Sequence, residues 1–240
     1  MYILAVNGSP RANKGVTDIV LQKFLEGAKE AGAKTECVYL VKKNIKNCGG
    51  CYACWIKTPG KCVIKDDMAP LLEKVKKTDM LVLATPIYTN TMTSYMKSFT
   101  ERLIPLVQPF QEKEKNRYVH PKRFNYNIKV LVISVCGFPD KANFDPLILT
   151  VMGLAKMGRM EYIGAITRTC GEFLREAPRF MVKGFLNQVK RAGEEAGRTC
   201  TINRQLLAKV SKSYIPDAFL AKAANKWWRK QIKKMGTRKT

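Results

Sequence analysis

The sequence holds one histidine, His120, in 240 residues. A lone imidazole in a basic stretch leaves histidine-rich metal centres and Ser-His-Asp catalysis without support, and His120 is expected to be solvated. Acidic residues are also scarce: 19 Asp plus Glu stand against 43 Lys plus Arg, for a formal charge of +24 and an isoelectric point near 9.8. Such a field draws nucleotides, acidic redox partners, nucleic acid or anionic lipid without choosing among them. No apolar run reaches the roughly 20 residues that a membrane-spanning helix needs. Neither the G-x-G-x-x-G dinucleotide loop nor the Walker loop occurs. No internal repeat is found, and no low-complexity tract outside the basic end. Met1 to Val6 has no basic segment before it and no small-residue cleavage site after it, so it reads as a strand rather than a signal peptide.

What is present is an alternation of short apolar runs and helical stretches. Tyr2–Val6, Thr35–Leu40, Met80–Ala84, Lys129–Val135 and Glu161–Ile166 read as strands, the first and third as runs covered on both faces. Helices are expected over Asp18–Ala31, with Gly32 closing it in the C′ position, from Asp66 or Asp67 to about Lys77, and over Ser94–Leu106. Two more cover Asp145–Lys156 and about Pro178–Ala196, the last ending at Gly197. Gln108–Asn127, polar and basic with Pro109 and Pro121, reads as an excursion or lid. The alternation predicts an α/β fold, a doubly wound five-stranded parallel sheet. The expected organisation is one main domain over 1–200, carrying a cysteine-rich loop over 48–62, and a basic helical C-terminal extension over 201–240. That extension has eleven Lys or Arg against Asp217 alone.

Two stretches carry chemistry. Asn7-Gly-Ser-Pro-Arg11, with Asn13, Gly15, Val16 and Thr17, leaves the first strand and enters a helix, where backbone N–H groups and the helix dipole can hold a phosphate; an ordinary capped turn is the alternative. Cys48-Gly-Gly-Cys51-Tyr-Ala-Cys54, then seven residues and Cys62, packs four thiols into a form suited to a [4Fe-4S] cluster. Zinc, a dithiol redox pair and plain packing stay open beside it. Eight cysteines without a secretory signal point to a reducing, cytoplasmic setting. Cys37, Cys170 and Cys200 are isolated and read as inert. Asp66-Asp67 reads as helix capping in preference to a carboxylate pair. Lys222–Lys239, with Trp227-Trp228, reads as a helix packed on its own domain or on a dimer mate, in preference to a membrane surface. Nucleic-acid binding is disfavoured for want of a base-reading motif.

Gly-Ser-Pro-Arg before a small-residue helix entrance resembles the FMN phosphate loop of the NADPH-dependent FMN reductase and iron-sulfur flavoprotein families. Thr85-Pro-Ile-Tyr88, followed by Met92-Thr-Ser-Tyr-Met-Lys97 and Glu101-Arg102, resembles their loop after the third strand, and Cys136-Gly-Phe138 their loop after the fourth. The cysteine run is similar to the compact motif of iron-sulfur flavoproteins. The resemblance spans roughly the first 200 residues and implies a flavodoxin-like fold with FMN at the carboxyl edge of the sheet. It implies that Ser9, Arg11, Asn13, Gly15, Val16 and Thr17 hold the phosphate. Pro86, Ile87, Tyr88, Thr89 and Asn90 would cradle the isoalloxazine, and Cys136, Gly137 and Phe138 would flank its other edge. Thr89-Asn90 departs from the aromatic-Gly pair of many relatives, and Tyr88 could instead be a half-buried packing residue. Cys48, Cys51, Cys54 and Cys62 are the candidate cluster ligands.

The implied activity is FMN-dependent transfer of electrons from NAD(P)H or a ferredoxin-like donor to an acceptor through a [4Fe-4S] cluster beside the flavin, with no catalytic acid or base required. A cluster-free NAD(P)H-dependent FMN or quinone reductase is the alternative enzyme, and a flavodoxin-like electron carrier the non-enzymatic reading. The resemblance further implies a homodimer or homotetramer.

Overall fold

In the computed structural model, which describes residues 1–212 and 216–236, five strands form one parallel sheet. They are β1 (Tyr2–Asn7), β2 (Lys34–Tyr39), β3 (Met80–Pro86), β6 (Lys129–Val135) and β7 (Glu161–Arg168), in the order β2-β1-β3-β6-β7. The short strands β4 (Glu112–Glu114) and β5 (Arg117–Val119) pair antiparallel inside the expected excursion. The hairpin escapes the hydrophobic pattern because five of its six residues are exposed. All five expected strands are present, and the architecture is the expected doubly wound α/β sheet.

The sheet is buried on both faces, which is why its strands are continuous apolar runs. Ile3, Ala5, Val82, Leu131 and Ile133 point to one side, where α1 (Val16–Glu30), α7 (Arg179–Thr199) and α8 (Arg204–Val210) cover them. Leu4, Val6, Leu81, Leu83, Val130 and Val132 point to the other, under α3 (Met68–Lys77), α4 (Ser94–Glu101) and α5 (Asp145–Met157). The short helices α2 (Ala53–Ile56) and α6 (Phe173–Glu176) lie in loops, and α9 (Asp217–Gly236) ends the described chain. Ile202, Leu207 and Val210 join the same core as α1 and α7. Among the described residues no helix is long and apolar enough to cross a membrane.

Two helix ends differ from expectation, each for a local reason. The helix expected to reach Leu106 stops at Glu101, and Ile104–Leu106 forms a 3-10 turn around Pro105, whose ring cannot continue an α-helix. The helix expected to end at Gly197 runs on to Thr199, and Cys200 takes the left-handed position (φ 57°). Gly193 and Gly197 are spacers against α1, not terminators. A Cβ on Gly193 would lie 2.0 Å from the Phe24 carbonyl oxygen, and one on Gly197 2.6 Å from that of Ala28. Gly32 does close α1, with φ +89° and the Ala33 N–H bonded to the Ala28 carbonyl.

This contact predicts opposite outcomes for two glycines of α7. Gly193→Ala should destabilise the fold by about 1–3 kcal/mol through overpacking. Gly184→Ala, where an added Cβ meets nothing within 4 Å, should stabilise it by about 0.5–1 kcal/mol. Urea denaturation of both variants measures the two signs.

Candidate functional site

At the carboxyl edge, β1 sits between β2 and β3, so the chain leaves it one way and returns the other, the switch point where such sheets open a crevice. The loop from Gly8 to Gly15 lines that crevice and contains a 3-10 turn at Ala12–Lys14. Gly15 precedes α1 in an extended conformation with no side-chain cap. The first N–H groups of α1 and its positive dipole end therefore face the cleft with no side chain covering them. A Cβ on Gly15 would stand 2.5 Å from Ser9 Oγ, and one on Gly8 2.9 Å from Met96 Cβ.

The loop is fixed from behind by residues outside the expected set. Asn7, fully buried, donates from Nδ2 to Asp18 Oδ1 (3.0 Å) and accepts from the Ser9 N–H (2.8 Å). Thr93 donates from Oγ1 to the Gly8 carbonyl (2.6 Å), accepts from the Met96 N–H at the start of α4, and donates its own N–H to Thr85 Oγ1. These contacts join residues up to 85 positions apart. The only trace they leave in the sequence is a polar residue at a strand end and a threonine in front of a helix.

A cleft of about 130 Å³ brings together Ser9, Arg11, Gly15, Val16 and Thr17 with Pro86, Ile87, Tyr88, Cys136 and Gly137, and adds Val135, Gly171 and Glu172. Asn13, Thr89, Asn90 and Phe138 are not among its walls, and all four are exposed. Thr89 (φ 47°) and Asn90 (φ 63°) are the left-handed centre of a tight turn closed between Tyr88 and Thr91, which presents Tyr88 to the cleft. A β-branched threonine in that conformation is strained. Arg11 pairs with Glu172 across the mouth (2.8 Å), and both side chains are substantially exposed. Such a pair holds little energy and can be exchanged for a phosphate. Burial, first of all, pushes the Cys136 thiol up to about 11, so it is a neutral packing group at neutral pH. An adjoining cavity of about 240 Å³ shares Gly137 and Glu172 with the cleft and is roofed by α9 through Leu220, Trp227 and Trp228.

Cys48, Cys51, Cys54 and Cys62 line a second cavity together with Arg102, Ile104 and Pro105. The turn of α2 sets Cys54 inside, and the Gly60 N–H, bonded to the Cys54 carbonyl (2.9 Å), folds the seven-residue spacer so that Cys62 returns to the same cavity. The Cys54 thiol is pushed up by burial and then by the neighbouring cysteines. Among the described residues no three of His, Cys, Asp and Glu stand as a ready ligand group for a metal ion. Thiolates on one zinc ion share a centre at about 2.3 Å, whereas a cubane gives each thiolate its own iron and tolerates wider spacing.

Asp66 does cap α3, accepting from the Met68 N–H (3.0 Å), but it also binds Arg102, as detailed below; Asp67 accepts the Asn44 N–H (2.8 Å). His120 is half-buried and tilted over Trp55 at 5.1 Å, a packing position in place of the expected solvated one. Cys37, pushed up to about 11 mainly by burial, and Cys200 are half-buried, and Cys170 is buried beside the α9 cavity. Part of the basic stretch Lys222–Lys239 lies outside the described residues.

Residues 1–136 match the model of the family described as NADPH-dependent FMN reductase. An iron-sulfur flavoprotein of Methanocaldococcus jannaschii is 34% identical over 115 residues, 48% of this chain and 58% of its own length. An iron-sulfur flavoprotein of Archaeoglobus fulgidus is 27% identical over 236 residues, 96% of this chain and 99% of its own. The chain thus aligns with little more than half of the first relative and nearly all of the second. Among solved structures, an FMN-dependent NADH-azoreductase of Bacillus anthracis, crystallised with FMN, superposes with a TM-score of 0.61 at 16% identity, covering 82% of this chain and 99% of that one. A putative quinone reductase of Klebsiella pneumoniae gives 0.63 at 11%, over 80% and 83%. These two likenesses show the flavodoxin-like fold.

The ties behind the loop predict that Thr93→Val, which keeps the shape but loses the hydroxyl, should cost about 1–2 kcal/mol, combining a lost cap and a buried carbonyl left unpaired. Chemical denaturation against the parent chain reads the loss.

Proposed function

The chain belongs to the NADPH-dependent FMN reductase family, and from that premise we propose that it is an FMN-dependent oxidoreductase moving electrons between a reduced donor and an acceptor. The observation that carries this reading is the crevice at the β1–β3 switch point, where an uncapped helix N-terminus, a glycine-spaced loop and the Pro86–Tyr88 loop meet. A Cβ would fill the cradle at Gly15, as expected where a ligand's phosphate approaches backbone.

Ser9, Thr17 and the first N–H groups of α1 would hold the phosphate, with Arg11 exchanging Glu172 for it. The Pro86–Tyr88 backbone and Cys136-Gly137 would border the ring system, with Thr89, Asn90 and Phe138 outside the cleft walls, and Asn13 would lie outside the phosphate cradle. FMN bound there supplies electron transfer in one- and two-electron steps. The chain's own part is to orient the ring, aim backbone dipoles at the edge where negative charge develops, and exclude water beneath Tyr88. The α9 cavity beside Gly137 and Glu172 offers room for a second reactant. NAD(P)H or a ferredoxin-like protein is the proposed donor, and a cytoplasmic homodimer or homotetramer the proposed form.

For the cysteine cavity we adopt the [4Fe-4S] reading, with Cys48, Cys51, Cys54 and Cys62 as ligands. The donor set is all thiol, and a buried arginine with an unpartnered N–H forms part of the cavity wall. A cluster there supplies one-electron transfer. Among the described residues no group of three potential ligands stands ready for a metal ion, so the cluster-free reductase stays as the second reading.

Anaerobic reconstitution with FMN, iron and sulfide should give flavin bands plus broad cluster absorption and about four irons per chain. Flavin bands without iron select the second reading, and no chromophore overturns both. Reduction of the flavin bands on mixing with NADH or NADPH would set an enzyme apart from a carrier. Gly15→Val should weaken FMN binding at least tenfold in a fluorescence titration, since its side chain would enter the phosphate cradle; unaltered affinity would remove the phosphate from this loop.

A further inference from the structure

Arg102 is the largest side chain buried in the described structure, 1% exposed, at the C-cap of α4. Taking a guanidinium out of water costs several kcal/mol unless it is paired. Asp66, whose side chain is 0% exposed, takes the charge in a two-pronged bond: Nη1 donates to Oδ2 (2.8 Å) and Nη2 to Oδ1 (3.0 Å). Nη1 also donates to the Lys46 carbonyl (2.7 Å). Asp66 is fixed in turn by the N–H groups of Lys46 and Met68. Although burial opposes its ionisation, these donors and Arg102 hold its carboxyl below the usual range.

The fork leaves Nε over. It is buried and makes no hydrogen bond of ordinary length and angle, a state that leaves its desolvation uncompensated while it persists. Arg102 forms part of the wall of the cysteine cavity, and Cys62 is close enough to act on it both by charge and as a side-chain hydrogen-bond partner, though not in a geometry that satisfies Nε. An oriented guanidinium, locked from behind and with a spare N–H beside four thiols, lacks an acceptor that the cavity's occupant can provide. Sulfur atoms carrying negative charge, in a ligating thiolate or in the sulfides of an iron-sulfur cluster, are such acceptors.

We propose that Arg102 donates its Nε–H to the sulfur of the cluster site, at Cys62 or an adjacent sulfide, and thereby raises the site's reduction potential, with Asp66 as the positioning residue that aims it. The inference rests on the [4Fe-4S] reading above. Hydrogen bonds to cluster sulfurs and positive charge nearby both favour the reduced, more negative state. The two members of the ion pair therefore have opposite effects. Arg102 pulls the potential up. Asp66 restrains it through its charge while holding the donor in place.

The test uses the full chain reconstituted anaerobically with FMN, iron and sulfide, in its parent form and as Arg102→Lys and Asp66→Asn. Iron content and EPR-monitored potentiometric titration are measured, with the flavin potential recorded alongside. Arg102→Lys keeps the charge and loses Nε–H. Its cluster potential should fall by about 59 mV or more, a tenfold change in a one-electron equilibrium, with the flavin potential unmoved. Asp66→Asn, which removes the negative charge and keeps an acceptor for the guanidinium, should shift the potential upward. Both variants should also melt lower before reconstitution, and a purely structural ion pair would show that loss alone. Equal potentials in parent and variants, or shifts of one sign in both, overturn the proposal. If one variant fails to fold, the sign in the other decides. A parent chain that takes up FMN but no iron overturns the proposal together with the cluster reading and leaves the flavin reading standing.

Discussion

Everything at the carboxyl edge depends on β1 being hydrogen-bonded on both sides, to β2 in register from Tyr2 with Lys34 to Asn7 with Tyr39, and to β3 from Ile3 with Met80 to Asn7 with Ala84. The helix that follows β1, α1, packs on one face of the sheet, and the helix that follows β3, α4, packs on the other. The loops after β1 and β3 stay tied at Gly8 through Ala84 and Thr93, then part toward opposite faces and open the cleft beyond that tie. Ile3 to Val6 are fully buried, so this strand cannot slip by a residue without exposing one core and burying the wrong side chains in the other. The position of the crevice is thus set by packing several residues away from it.

The same burial made the sheet legible. Continuous apolar runs such as Met80–Ala84 have no other use in a chain of this composition, and the loops between them follow from the order of elements. Much of the candidate site was legible for the same reason, because Ser9, Gly15, Pro86 and Cys136 all come directly after or near strand ends. What supports the site was not. Asn7 with Asp18, Thr93 with Gly8, and Asp66 with Arg102 are polar pairs whose meaning lies in a partner brought close by topology. Read alone, Arg102 continues a charged helix face and Asp66 caps the next helix. The glycines of α7 look like helix terminators until α1 lies against them. Asn13 and Phe138, assigned through the resemblance, are exposed and away from the cleft walls.

Charge follows a related division. With so many lysines and arginines the surface attracts anions, and most ion pairs, such as Lys97 with Glu101, lie on it and contribute little. Asp18 and the Asp66 side chain are different, since both are withdrawn from solvent. A buried carboxylate in a basic protein is retained at a cost, and each of these two repays it by fixing a loop. Asp18 holds Asn7 behind the phosphate loop, and Asp66 holds Arg102 behind the cysteines.

Those two loops meet on one helix. At its N-terminus Thr93 caps α4 and reaches the Gly8 carbonyl, while at its C-terminus Arg102 reaches Asp66 and the Lys46 carbonyl. Between them Ser98 donates to Asn47 at the start of the cysteine run (2.8 Å), and Met96 packs under Gly8. A rise of about 1.5 Å per residue puts the two ends about 13 Å apart. Met96 and Phe99 are fully buried against the sheet, so the helix cannot lengthen, turn or tilt without opening the core. The cleft at the switch point and the cysteine cavity are therefore spaced by a packed helix and not by the irregular loops that form their walls. Such a support would keep the separation of the two cavities constant while the loops adjusted to what they bind, as the proposed electron transfer between them requires.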